Sequence, residues 1–213
     1  MLILLFALLP GTALQPVLCA EPFSCENNEN PSWGVGLSGG ILPPVSGSLD
    51  TGNSSGDVLD TGPNFALSLR KRVSERFSTE ITADIGWMNY GRNIYDPSSS
   101  FSIAALVLGN SYSIIRTGRL DTCIKAGAGM YFWRVCEGDA FGGARQFEGE
   151  EIQKISIGLK AGLGADIAIT RRISITAESM YNYVLCKDTF HFGKGFTEQG
   201  LVNINIGLML YLF

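Results

Sequence analysis

From Trp33 to Phe213 the chain repeatedly alternates apolar and polar positions with a period of two. That is the spacing of an extended strand whose two faces meet different media. The closing stretch, Gly200 to Phe213, shows it well. Val202, Ile204, Ile206, Leu208, Leu210 and Leu212 share one face, and Asn203, Asn205, Gly207, Met209 and Tyr211 share the other. A soluble domain would have to cover that aliphatic face with further chain. A lipid bilayer covers it directly.

Seven earlier segments complete a set of eight strands. The first runs from Trp33 to Leu42, and the second, Asn64 to Val73, sets Phe65, Leu67 and Leu69 against Ser68, Arg70 and Arg72. The third sets Thr79, Ile81, Ala83, Ile85 and Trp87 against Ser78, Glu80, Thr82, Asp84 and Gly86. The fourth, about Ser100 to Ile115, is apolar on both faces, which leaves its phase open and allows a bulge. The fifth, up to Arg134, alternates Ile124, Ala126, Ala128, Met130 and Phe132 with Cys123, Lys125, Gly127, Gly129, Tyr131 and Trp133. The sixth, Lys154 to Ile169, opposes its aliphatic set to Lys154, Lys160 and Asp166, and the seventh, Ile173 to Tyr183, turns Glu178 and Asn182 to its polar face.

The connections alternate in length. Polar, turn-rich stretches at Pro43–Gly62, Asn89–Ser99, Val135–Glu150 and Lys187–Gln199 alternate with tight turns at Ser74–Arg76, Arg116–Arg119 and Thr170–Arg172. Strict alternation places all long loops at one end of an antiparallel up-and-down barrel. The expected fold class is therefore all-β, an eight-stranded transmembrane β-barrel. A soluble ligand-binding barrel would reverse the chemistry, forcing aliphatic faces from most strands into a narrow bore and leaving the charged set outside. Aromatic residues near strand ends fit interfacial girdles, with Trp33, Phe77, Tyr211 and Phe213 at one level and Trp87, Phe101, Phe132, Tyr181 and Tyr183 at the other.

Composition agrees with this reading. Of 213 residues, 46% are hydrophobic and 17% charged, against about 25% charged in ordinary soluble domains. Beyond the N-terminus no 18-residue apolar run could cross a bilayer as a helix. The formal charge of -4, with no basic stripe, argues against a nucleic-acid partner. Residues 1–20, with apolar Leu2–Leu9 and the exit Leu18-Cys19-Ala20, read as a secretory signal, and 21–32 as a flexible lead. With no Lys or Arg near Met1, the true start codon is expected upstream. A lipoprotein signal at Cys19 is the alternative, against which bulky Leu18 argues.

The ending Asn205-x-Gly207-x-x-Leu210-x-Leu212 plus Phe213, together with the signal, eight strands and four long loops, resembles the small outer-membrane barrels of the OmpA transmembrane domain, OmpX and opacity-protein group. The resemblance spans residues 33–213. It implies a bacterial outer-membrane location and a setting of outer-membrane lipid and lipopolysaccharide. It also implies a terminal signal (Asn205, Gly207, Leu210, Leu212, Phe213) that the barrel assembly machinery reads.

The chemistry expected inside the barrel is a charge network of Arg70, Arg72, Lys125, Lys154 and Lys160 with Glu80, Asp84, Asp166 and Glu178. It reads either as a pore lining or as a plug of matched ion pairs, and the narrow bore favours the plug. After removal of Cys19 with the signal, four of the five cysteines remain. Topology puts Cys136 and Cys186 at the long-loop end and Cys25 and Cys123 at the short-turn end, so Cys136–Cys186 and Cys25–Cys123 bridges are expected. The glycine pattern at Gly34–Gly39 matches a dinucleotide-binding fingerprint but lies within a strand, where that motif cannot work. The single histidine, His191, lacks the serine partner of a lipid-modifying triad. No enzyme, cofactor or metal is expected. The function expected is structural or surface-binding, through acidic long loops able to meet a surface ligand, divalent cations or lipopolysaccharide. A narrow solute or ion channel is the alternative, and the chain is expected to be a monomer. The short turns carry Arg76, Arg116, Arg119, Arg171 and Arg172 at head-group level.

Overall fold

The computed structural model describes residues 33–47, 59–89, 99–138, 142–188 and 198–212. The segments expected to be a signal (1–20) and a lead (21–32), together with Cys25, His191 and Phe213, lie outside the described residues. So do loop residues Asp50, Asp57 and Asp139.

Eight long strands follow one another: β1 (Trp33–Leu42), β2 (Gly62–Arg72), β3 (Phe77–Asn89), β4 (Ser99–Thr117), β5 (Leu120–Glu137), β6 (Gln153–Ala168), β7 (Ile173–Val184) and β8 (Gln199–Leu212). Each pairs antiparallel with the next, and β8 pairs with β1 from Trp33↔Leu212 to Ile41↔Ile204, closing the barrel. Past Pro43 a short extension, Pro44–Gly47, pairs with the upper end of β8. Closure leaves no bare edge along the wall. Among the described residues no helix is long and apolar enough to cross a membrane.

The three tight turns share one end. Gly118 takes a positive φ of 52° between β4 and β5, a conformation that glycine adopts without Cβ strain. Thr170 Oγ1 accepts hydrogen bonds from the backbone N–H groups of Arg172 (3.2 Å) and Ile173 (3.0 Å), and Ser74 Oγ accepts from Phe77 N–H (3.2 Å). Local side chains thus satisfy backbone donors that the ladder leaves behind.

The outer face is aliphatic. Ile155 and Ile206 are each 67% exposed, and Leu37, Leu67, Leu108, Ile124 and Leu163 are exposed with them. A contiguous apolar wall of this kind is unfavourable in water and suited to lipid. The two faces of β4 separate clearly. Phe101, Ile103, Val107 and Ser111 are buried inward while Leu106, Leu108 and Tyr112 are exposed, and a bulge lies between Ser113 and Ile115.

The inward apolar side of β4 exists because the upper bore has an apolar core. Leu42, Met88, Phe101, Trp133, Val184 and Leu201 are almost fully buried there. Phe101 therefore leaves the expected aromatic girdle and stacks on Trp133, with centroids 5.9 Å apart. Tyr211 also turns inward, with the Arg72 guanidinium 5.6 Å from its ring centre. Trp33 remains on the outer wall, 39% exposed, with Lys71 Nζ 5.2 Å from its ring centre.

Candidate functional site

Below the apolar core the bore is crossed by ion pairs. Arg70 and Glu80 are register partners on β2 and β3, and Arg70 Nε donates to Glu80 Oε2 at 2.7 Å. Arg70 Nη1 also reaches across the bore to Asp166 on β6. From β5, Lys125 Nζ lies 3.3 Å from Glu80 Oε1 and 2.8 Å from Glu178 Oε2 on β7. The order Glu178, Lys125, Glu80, Arg70, Asp166 alternates sign along one chain of contacts. A separate pair links Lys160 Nζ to Asp84 Oδ2 at 2.7 Å.

These charges sit where the alternation of each strand turns them, away from lipid. An ion left alone there would carry a large desolvation cost, which opposite charges at hydrogen-bond distance offset. Polar neighbours occupy remaining acceptor sites: Thr82 Oγ1 donates to Glu80 Oε1 (3.1 Å) and Asn205 Nδ2 to Glu178 Oε1 (3.4 Å). Gly164 makes room for the Lys125 stem, since a Cβ there would stand 3.1 Å from Lys125 Cε.

Two members of the expected network sit elsewhere. Lys154 is exposed at the long-loop end, where Nζ donates to the Lys187 carbonyl. Arg72 lies at the short-turn floor over Tyr211. The polar period of their strands runs past the paired layer, so the face is shared but the depth is not.

Between charges and apolar core lies an amide layer. Asn64 Nδ2 donates to Asn205 Oδ1 (3.0 Å), Asn182 Nδ2 to Asn203 Oδ1 (2.9 Å), and Tyr131 Oη to Asn182 Oδ1 (3.0 Å). Trp133 Nε1 donates to Ser156 Oγ at 3.0 Å above it. The voids left in the bore are small. One of about 20 Å³ borders Lys125, Glu80 and Glu178, a second of about 20 Å³ lies at the floor by Arg72 and Tyr211, and one of about 10 Å³ lies by Asn182 and Tyr131. A cavity of that size accepts at most about one water.

The cysteines differ from expectation. Cys136 and Cys186 are buried thiols and form no bridge to each other. The register explains why: Cys136 pairs with Ser100 on β4 and its Sγ lies 3.5 Å from Ser102 Oγ, whereas Cys186 is hydrogen-bonded with Ser156 of β6. Burial pushes the Cys186 thiol up to about 12, against the hydrogen bond with Ser156 and the nearby Lys154 charge. Cys123 is likewise a buried thiol, and its expected partner, Cys25, lies outside the described residues.

Of the residues expected to form a terminal signal, Asn205 faces inward in the polar network and Gly207 lies against Ser38, while Leu210 and Leu212 are exposed on the outer wall. Gly34–Gly39 is all strand. The third loop holds an element that sequence reading missed, a small hairpin pairing Gln146–Phe147 with Glu150–Glu151. Its two-residue turn, Glu148-Gly149, has both φ angles positive (50° and 86°), as a type I′ turn requires. Glu-Gly in place of Asn-Gly concealed it. Phe147 is 45% exposed on this acidic hairpin, and Arg145 Nη1 donates to Ser99 Oγ (2.8 Å) at its base. Among the described residues no three His, Cys, Asp or Glu side chains are grouped to hold a metal ion.

No family model matches the chain, and no curated protein matches it. Solved structures do match. Neisserial surface protein A superposes with a TM-score of 0.59 at 15% identity, over 84% of this chain and 97% of that one. A major outer membrane protein from Thermus thermophilus superposes with a TM-score of 0.52 at 9% identity, over 85% and 98%. At such identities the shared property is the fold, that of small outer-membrane barrels.

Proposed function

We infer that the chain is an integral barrel of the bacterial outer membrane that works through its long-loop surface. The observation carrying this reading is the combination of an aliphatic outer wall with a bore filled by ion pairs, amides and an apolar core. The wall suits lipid, and the filled bore leaves the loops as the surface free to meet other molecules. Among the described residues, the hairpin around Phe147 contributes to that surface an exposed aromatic beside Glu148, Glu150 and Glu151.

The second reading, a narrow channel, is favoured by the small voids that flank Lys125 along the bore. One experiment separates the two. Refolded protein that shows heat-modifiable gel mobility, the mark of a closed barrel, is placed in planar bilayers. Rare, small conductance steps are expected, and a steady large conductance would overturn the loop-surface reading in favour of the channel.

A further inference from the structure

The void between the charge layer and the apolar core measures about 10 Å³ and is bordered by Asn64, Asp84, Tyr131, Asn182 and Asn203. Several donors around it are engaged with one another's acceptors. Asn64 Nδ2 donates to Asn205, Asn182 Nδ2 to Asn203, and Tyr131 Oη to Asn182, while Lys160 Nζ donates to Asp84 Oδ2 at 2.7 Å. The other oxygen of that carboxylate is left over. Asp84 is only 8% exposed, and its Oδ1 is buried with no hydrogen-bond partner among the described residues. A second oxygen faces the same space. A Cβ on Gly86 would stand 3.1 Å from Asn64 Oδ1, so the glycine keeps that oxygen open to the void that both residues border.

The charges of the layer beneath do not balance. Three cations, Arg70, Lys125 and Lys160, meet four carboxylates, Glu80, Asp84, Asp166 and Glu178. The other inward charges lie at the ends of the bore, Lys154 by the long loops and Arg72 at the floor with Glu75 and Asp121. One negative charge therefore lacks a counterpart within the paired layer. Lys160 does not serve Asp84 alone, since it also borders the void at Glu178. A net charge held away from water is costly unless another charge cancels it. A water donating to Asp84 Oδ1 would satisfy that oxygen and leave the charge in place.

We propose that Asp84 Oδ1 and the amide and phenol oxygens around it hold one dehydrated sodium ion. Hard cations take oxygen ligands, and neutral protein oxygens can replace the hydration shell of an alkali cation. The void admits one particle of about the size of a water, and a bare sodium ion is no larger. A single carboxylate and a deficit of one charge select a monovalent ion, since a divalent one would leave the layer positive. The ion would tie Asp84 on β3 to Asn64 on β2, Tyr131 on β5 and Asn182 on β7. It is a component of the filled bore, so this inference goes beyond the loop-surface reading and is independent of what the loops meet.

The test is the urea midpoint of the refolded full chain in lipid vesicles, followed by gel mobility, with sodium chloride exchanged for choline chloride at constant ionic strength. Above the dissociation constant, each tenfold rise in sodium should raise the folding equilibrium constant of the wild type about tenfold. Two variants should lose that dependence. Gly86→Ala crowds Asn64 Oδ1 and keeps every charge, and Asp84→Asn evens the layer at three against three. Gly143→Ala, with nothing within 4 Å of its added carbon, should keep it. A wild-type midpoint that ignores the exchange of sodium for choline would overturn the proposal, and so would a sodium dependence that persists in either variant. Gly86→Ala keeps the test decisive if Asp84→Asn does not refold. A wild-type chain without heat-modifiable mobility would fail the barrel reading itself, whereas a closed barrel indifferent to sodium would overturn this inference alone.

Discussion

Arg70 Nε donates to Glu80 Oε2 at 2.7 Å across the β2–β3 ladder, and Lys125 approaches the other oxygen of that carboxylate at 3.3 Å. Glu80 thus neutralises two cations, whereas among the described residues Asp84 has Lys160 alone as a salt-bridge partner. Removing one partner of a buried pair leaves an uncompensated charge, at a cost of about 3–5 kcal/mol. Glu80→Ala should therefore destabilise the barrel by an amount in that range and by more than Asp84→Ala does. Adding Lys125→Met to Glu80→Ala should recover part of the loss. Urea midpoints followed by gel mobility in lipid vesicles measure all three.

Trp133 is fully buried in the upper core, stacked on Phe101 and hydrogen-bonded to Ser156. Trp133→Ala should cost about 3–5 kcal/mol from the cavity left behind. Under the plug reading it should also raise the frequency of conductance steps, and unchanged bilayer recordings would show that the charge layer alone closes the bore.

Gly158 lies against the Tyr131 ring. A Cβ there would stand 2.7 Å from Tyr131 Cε2 and 2.7 Å from the Tyr183 carbonyl oxygen, and that backbone cannot swing aside. Gly158→Ala should cost about 1–3 kcal/mol by overpacking. Gly143→Ala, with nothing within 4 Å of its added carbon, is the matched control and should shift the midpoint by less than about 0.5 kcal/mol.

Ile206 is 67% exposed on the outer wall and pairs with Gly39 and Ala177 near mid-strand. Ile206→Arg should cost about 2–4 kcal/mol in a bilayer. The same change should cost far less in a soluble barrel, so comparison of unfolding midpoints tests what surrounds the wall.

Cys186 has a thiol held near 12 by burial, so at pH 9 it stays almost wholly protonated in the folded chain. Thiolate is the nucleophile. Iodoacetamide should leave Cys186 unmodified from pH 7 to 9 in folded protein and label it quickly in urea. Fast labelling of folded protein at pH 8 would contradict the buried thiol.

The amino-acid sequence by itself determined the strand count, the outer face of seven strands and the end to which the long loops belong. A lipid-facing wall imposes period two on every strand, and turn residues mark each reversal, so both signals are local. It also placed Glu80, Asp84, Lys125, Lys160, Asp166 and Glu178 inside, because alternation alone decides the face.

Tertiary structure decided what depends on depth and stagger. Arg72 and Lys154 share the inward period but lie below and above the paired layer, and only strand stagger reveals that. Cys136 and Cys186 lie toward the same end of the barrel yet beside different strands, since loop topology does not specify the distance between side chains. The phase of β4 was hidden because its inner face packs an apolar core while its outer face meets lipid, giving both faces the same composition.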